Sequence, residues 1–347
     1  MQGGPEIPGL PPVVIPVFVS HLGCPHRCVF CDQTQFSAPE APDRIPALVS
    51  DFLAGCRRPG ERRRILAFYG GSFTGIEPLL LERYLREARR LVEEGVIHGV
   101  KASTRPDMIS EETLEQCREA GFVEMEIGVQ SMDDEVLRAS RRGHGASEVI
   151  QAARLVRGRG LKLGIQLMPG LPGEDRPSFV RTVQEAVLLE PDHVRLYPAV
   201  VLEGTALERG HRRGEYAPLA LDEAILRCLH GYARFTGAGC RVLRMGLPPS
   251  ENLAVVAGPY HPCFGFLVKA RGYRIMASVL GQRFGKELHL EVNPGSVPEL
   301  LGYKGENIQE LGFSYSFDPR LPRDYVQARG TSERGCLQLK DIIEYIL

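Results

Sequence analysis

The sequence has little of what marks an extracellular, membrane-spanning or polyanion-coating protein. Nine cysteines in 347 residues fall far below the density of a disulfide scaffold, and the count is odd. No apolar run approaches the length of a membrane span. Met1 to Pro12 is rich in glycine and proline and lacks the basic and apolar regions of a signal peptide. Lys and Arg number 42 against 43 Asp and Glu, a formal net charge of −1, which argues against a general polyanion binder and leaves room for local basic patches. No long repeat or low-complexity segment is present. These absences point to a soluble cytoplasmic protein with reduced thiols, and 43% hydrophobic residues can build a substantial core.

What is there begins with a pattern. From Val13 to about Gly246, short apolar runs alternate with amphipathic stretches. Strands are predicted at Val13–Ser20, Ile65–Tyr69, Gly99–Ser103, Phe122–Gly128, Lys162–Met168, His193–Tyr197 and Arg241–Met245. Between them the spacing predicts helices near 44–55, 78–94, 111–120, 133–140, 146–158, 176–189 and 221–235. Such alternation is the signature of βα units around a parallel sheet. Polar and glycine signals fall just after the strands, where ligands bind in parallel α/β sheets and barrels.

The most informative of these signals is the first. Cys24, Cys28 and Cys31 lie in the string Gly-Cys-Pro-His-Arg-Cys-Val-Phe-Cys directly after the first strand. Three soft thiolates on one loop serve one metal centre and leave it a ligand short, because both a structural zinc site and a [4Fe–4S] cluster take four protein ligands. A zinc site would need Cys56, His21 or His26 as its fourth ligand. A redox pair of Cys28 and Cys31 would leave Cys24 without a purpose. His21 and His26 are read as loop-holding groups.

With Phe30 as the aromatic before the third cysteine, the loop resembles the signature of the radical S-adenosylmethionine (SAM) superfamily. The blocks Phe68-Tyr69-Gly70-Gly71-Ser72-Phe73-Thr74, Ser103-Thr104-Arg105-Pro106-Asp107, Glu126 to Ser131, Arg142-Gly143-His144 and Gly164 to Gly173 strengthen it. They are similar to the radical SAM domain of the Elongator catalytic subunit and its stand-alone bacterial relatives, and more distantly to anaerobic coproporphyrinogen oxidase. The resemblance spans roughly residues 13–247. It implies an α/β fold, a partial (β/α)6 TIM-like barrel, with a [4Fe–4S] cluster held by Cys24, Cys28 and Cys31. SAM would chelate the open iron and accept one electron, releasing methionine and a 5′-deoxyadenosyl radical that abstracts hydrogen from a substrate. Phe30, Gly70, Gly71, Ser72, Ser103, Gln130, Arg142 and Gln166 would line the cofactor site, with Arg142 forked onto the methionine carboxylate. Asp107 and Glu126 are weaker candidates. Arg195, Tyr197 and Glu203 are candidates for the substrate space. The implied partners are an electron donor of flavodoxin or ferredoxin type and an RNA or tRNA substrate, ahead of a small molecule or peptide.

The expected division is an N-terminal extension over 1–12, the barrel over 13–247 and a small α+β domain over 248–347. In the last, helices are predicted at Cys263–Leu280 and from Leu337 to Leu347, and strands at Glu287–Val292 and Phe313–Phe317. Gly302-Tyr303-Lys304-Gly305 resembles the loop of a KH domain, which grips single-stranded nucleic acid, although a plain helix–turn–helix is the leading reading. The arginine-rich 57–64 segment reads as a solvated loop. No acetyl-CoA pyrophosphate loop and no second cysteine cluster is seen. A non-catalytic RNA-binding protein with a structural metal site is the alternative.

Overall fold

β-branched and aromatic runs bounded by glycine and polar residues become buried strands. The computed structural model describes residues 10–31, 38–57, 59–249, 253–285, 288–329 and 334–346. Residues 1–9 of the expected extension, Arg58, Ser250 and Glu287 lie outside the described residues. The first six strands are β1 (Val13–Phe18), β2 (Arg64–Tyr69), β3 (Gly99–Thr104), β4 (Phe122–Gln130), β5 (Lys162–Leu167) and β6 (His193–Leu196). After the short β7 (Val201–Leu202) comes β8 (Arg241–Met245). Seven of these make one sheet in the order β1-β2-β3-β4-β5-β6-β8, the strand arrangement of the expected partial βα barrel. β1 to β4 pair in parallel, with Lys101 opposite Glu124 and Ser103 opposite Glu126.

The chain gathers into two compact units. Unit one comprises Met1–Gln166, Leu189–His193 and Gly204–Ala206. Its helices are α1 (Ile45–Ala54), α2 (Pro78–Glu93), α3 (Glu111–Glu119), α4 (Asp134–Ala139) and α5 (Ala146–Gly158). Strand alternation gives its sheet two unlike faces. Leu66, Phe68, Ala102, Met125 and Ile127 are buried on one, where Phe68 stacks on Phe73 with centroids 4.4 Å apart and meets Tyr84 edge-on. Each such buried ring is worth roughly 2 kcal/mol. The other face carries Tyr69, Lys101, Ser103, Glu124, Glu126 and Gln166.

Unit two comprises Leu167–Leu188, Val194–Glu203 and Leu207–Leu347. Here α8 (Leu221–Gly237) packs on α6 (Arg176–Leu188) and on α9 (Phe264–Phe284), while α7 (Ala206–Arg212) is short. β7 pairs with β9 (Val255–Ala257). A second sheet follows the order β11-β10-β12-β13, from β10 (His289–Val292), β11 (Ser314–Phe317), β12 (Tyr325–Arg329) and β13 (Arg334–Gln338). β10 and β11 are parallel and joined through α10 (Val297–Leu301), a glycine turn and α11 (Glu306–Leu311).

One expectation needs correction. The final helix over 337–347 does not form. Leu337 and Gln338 belong to β13, and two short 3₁₀ turns follow at Leu339–Asp341 and Ile343–Tyr345. Leu339, Ile342 and Ile346 are buried, so their spacing of three and four serves these turns as well as it would serve an α-helix. The β12–β13 hairpin, too short to show a period, was not predicted. Among the described residues no helix is long and apolar enough to cross a membrane.

Candidate functional site

The cysteine loop begins where β1 ends and is fastened to the next loop along the sheet by backbone. Ser72 N donates to Leu22 O at 2.9 Å, and His21 N to Gly70 O at 2.8 Å. Such close approach requires glycine. A β-carbon on Gly71 would lie 2.5 Å from Val19 O, and one on Gly23 would lie 2.1 Å from Ser72 O. Gly23 and Gly70 also hold φ of 72° and 88°, in the left-handed region. Ser72 is 0% exposed, and its Oγ accepts from Arg105 N at 3.2 Å and meets Thr104 Oγ1 at 3.0 Å.

All three cysteines are free and half-buried, and Phe30 is half-buried in the turn between the last two. Two guanidinium groups face Cys28. Arg142 Nη1 lies 3.1 Å from its Sγ and Arg105 Nη1 4.0 Å from it. Arg142 is 5% exposed; its Nη2 donates to Gly128 O at 2.7 Å and its Nε to His144 Nε2 at 3.2 Å. Arg105 forks onto Asp107 at 3.0 and 2.9 Å and donates to the Arg142 carbonyl. Arg142 is therefore no solvated charge. Burial, and then the charge of Arg142, push the His144 imidazole down to about 4, so it stays a neutral acceptor for that guanidinium. Burial, and then Cys28, push the Cys24 thiol up, against the pull of Arg105 and Arg142. A guanidinium pair at a cysteine loop offsets the negative charge of thiolate ligands.

The remaining candidates stand at strand ends. Gln130 closes β4 with φ of 68°, a costly conformation for this residue, and its buried Oε1 has no hydrogen-bond partner among the described residues. Ser103 Oγ donates to Glu126 Oε1 at 3.0 Å, and Gln166 Nε2 donates to the same oxygen. The structure thus joins Cys28 to Arg142, joins the cysteine loop to Gly71 and Ser72, and gathers Ser103 and Gln166 around Glu126. Sequence reasoning gave no role to Arg105 or His144. The signal for both was present, a charge and its counter-charge two residues apart, and an imidazole two residues from the guanidinium it orients.

Two family models match the chain, the radical SAM superfamily over residues 19–186 and the radical SAM C-terminal domain over 191–274. This chain belongs to the radical SAM superfamily. The cofactors of the superfamily are a [4Fe–4S] cluster and SAM. A tRNA uridine(34) acetyltransferase from Methanocaldococcus jannaschii is 38% identical over 253 residues, covering 61% of this chain and 47% of that protein. The uncharacterized protein MJ0486 of the same organism is 31% identical, over 61% of this chain and 68% of its own length. Among solved structures, the archaeal Elp3 of Methanocaldococcus infernus with an N-terminal deletion superposes with a TM-score of 0.60 at 24% identity, over 74% of this chain and 61% of that one, a likeness of fold. The chain spans about half the length of the tRNA uridine(34) acetyltransferases it matches.

Proposed function

We propose that Cys24, Cys28 and Cys31 hold the cluster and that Gly70, Gly71, Ser72, Ser103, Gln130, Arg142 and Gln166 form the SAM side of the same rim. The observation that carries this reading is the three free thiols on one loop, with the Arg142 guanidinium 3.1 Å from Cys28 Sγ. The residues fit the group. The donors are soft thiols, cationic side chains face them, and the unpartnered Gln130 Oε1 offers a buried acceptor to a donor-bearing ligand. Among the described residues no three His, Cys, Asp or Glu side chains gather as ligands of a single ion. A cluster instead spreads its thiolates over separate irons.

When bound, the cluster and SAM supply one-electron cleavage of the sulfonium and hydrogen abstraction from the substrate. The chain's own part is positioning. Gly23 and Gly71 lock two loops together, and Arg105 and Arg142 present positive charge to Cys28. His144 holds Arg142 in place through its lone pair. The electron comes from a donor of flavodoxin or ferredoxin type, and the substrate is RNA, with tRNA favoured. The name of the Methanocaldococcus jannaschii relative supports that choice.

Anaerobic reconstitution tests the reading. The protein is expected to take up about four irons per chain and to release 5′-deoxyadenosine when SAM and a reductant are added. A triple Cys24, Cys28 and Cys31→Ala variant should lose both properties, and retention of both would end the proposal. For the substrate, modified nucleosides in total tRNA should differ between deletion and parent strains.

A further inference from the structure

The polar face of the first sheet carries a buried charged cluster that the cofactor reading leaves unexplained. Lys101 and Ser103 on β3 are register partners of Glu124 and Glu126 on β4, so their side chains stand side by side. Lys101 Nζ lies 3.2 Å from Glu124 Oε1. His193, at the start of β6, is 0% exposed and reaches both carboxylates. Its Nε2 is 3.4 Å from Glu124 Oε1 and 3.4 Å from Glu126 Oε2. Both neighbours can only accept when ionised, so Nε2 carries the hydrogen. The ring fits because β5 has glycine at this level. A β-carbon on Gly164 would lie 2.3 Å from His193 Nε2 and 2.6 Å from Cε1.

Glu126 is 3% exposed and is the hub of the cluster. Its Oε1 accepts from both Ser103 Oγ and Gln166 Nε2. That arrangement decides which hydrogen-bonding groups are left over. Ser103 has spent its only hydrogen on Glu126, and Gln166 has turned its amide nitrogen inward. Both therefore offer acceptors, which suits hydroxyl and ammonium donors on a ligand. His193 Nε2, 3.4 Å from Glu126 Oε2, adds a donor to the second oxygen and so helps to orient the carboxylate that Ser103 and Gln166 share.

We propose that His193, seated in the slot left by Gly164, is a positioning residue that clamps Glu126 and so fixes Ser103 and Gln166 as acceptors toward SAM. The inference rests on Ser103 and Gln166 facing SAM, and its test separates the two ideas. SAM affinity is measured on the reconstituted protein by equilibrium dialysis, with iron content as a control. His193→Phe fills the slot but cannot donate, and is expected to keep its iron while weakening SAM binding about tenfold. Glu126→Gln covers the case in which His193→Phe does not fold, and should weaken binding similarly. In a Ser103→Ala, Gln166→Ala background either change should add nothing further, since the groups it acts through are gone. Parental affinity in a folded His193→Phe or Glu126→Gln protein overturns the proposal, as do losses that add to those of the double variant. If the double variant itself binds SAM as the parent does, the cofactor assignment of Ser103 and Gln166 fails, and this proposal falls with it.

Discussion

Gly70-Gly71-Ser72 in unit one and Gly302-Tyr303-Lys304-Gly305 in unit two look alike as sequences, glycine turns between a strand or helix and the next helix. The neighbours of their glycines differ. Around the first turn a missing β-carbon would meet backbone. A β-carbon on Gly71 would stand 2.5 and 2.7 Å from Val19 O and Leu22 O, and one on Gly75 would stand 2.6 Å from Gly23 O. Around the second, Gly302 would meet the side chain of Asn307 at 2.8 Å, and Gly305 nothing nearer than Gln309 Nε2 at 3.5 Å. Backbone cannot step aside without moving the cysteine loop, whereas a side chain can. The Asn307 amide donates to Ala270 O at 3.0 Å and Leu300 O at 3.1 Å, so the second turn serves to pin α9, α10 and α11 together. Close approach of two main chains marks the functional rim; a capped helix end marks the scaffold.

The comparison breaks most visibly at Gly23. Gly23→Ala combines a left-handed φ of 72° with contact of 2.1 Å to Ser72 O, and should cost at least about 3 kcal/mol. Denaturant unfolding would read that cost, and the reconstituted protein should carry little iron. A variant with parental stability and full iron would show that the two loops are not locked as described.

The next effect is a pH dependence of the same rim. The His144 imidazole is held at about 4, below its ordinary value near 6.5, first by burial and then by Arg142. The unfolded chain binds this proton more readily than the native one. Stability from His144 is therefore complete above pH ~6.5 and lost as pH falls toward ~4, by at most about 3 kcal/mol. His230 in unit two, pushed down to about 4 by burial and then Arg234, adds a loss of the same sign. His144→Gln keeps an acceptor for Arg142 and does not titrate. Its stability between pH 4 and 6.5 should fall less steeply than the parent's in urea melts, and equal slopes would remove His144 from the account.

Much of this was legible in the sequence. Every strand of the first sheet was found within two residues, because buried parallel strands are continuous apolar runs cut off by glycine or polar residues. The cysteines and Arg142 stood out as chemistry that a solvated loop does not need. The Glu126–His193 contact was not legible, since it depends on the register of β3 on β4 and on which strand crosses the gap at Gly164, and one sequence encodes neither locally. The tail was misread for a different reason. Leu339, Ile342 and Ile346 carry a helical period, but Leu337 and Gln338 are taken up by β13, and the buried side chains that follow it stand on two 3₁₀ turns, where a spacing of three and four serves equally well.

The smallest effects test the second turn. Gly302→Ala, at φ 80° and against the buried Asn307, should cost about 2 kcal/mol and leave the iron content unchanged. Gly305→Ala is milder still, because φ of 78° is strained for alanine but the space around it is open. It should cost about 1 kcal/mol in a thermal melt. The same variant decides whether this turn does more than connect helices. If the turn is a scaffold element, tRNA affinity and SAM cleavage in Gly305→Ala should equal the parent's at every salt concentration. If the turn grips a nucleic-acid backbone, the added methyl group would stand between them and affinity would fall while iron and SAM cleavage stayed intact. That outcome would make the two glycine turns alike after all, each shaped by something that must come close.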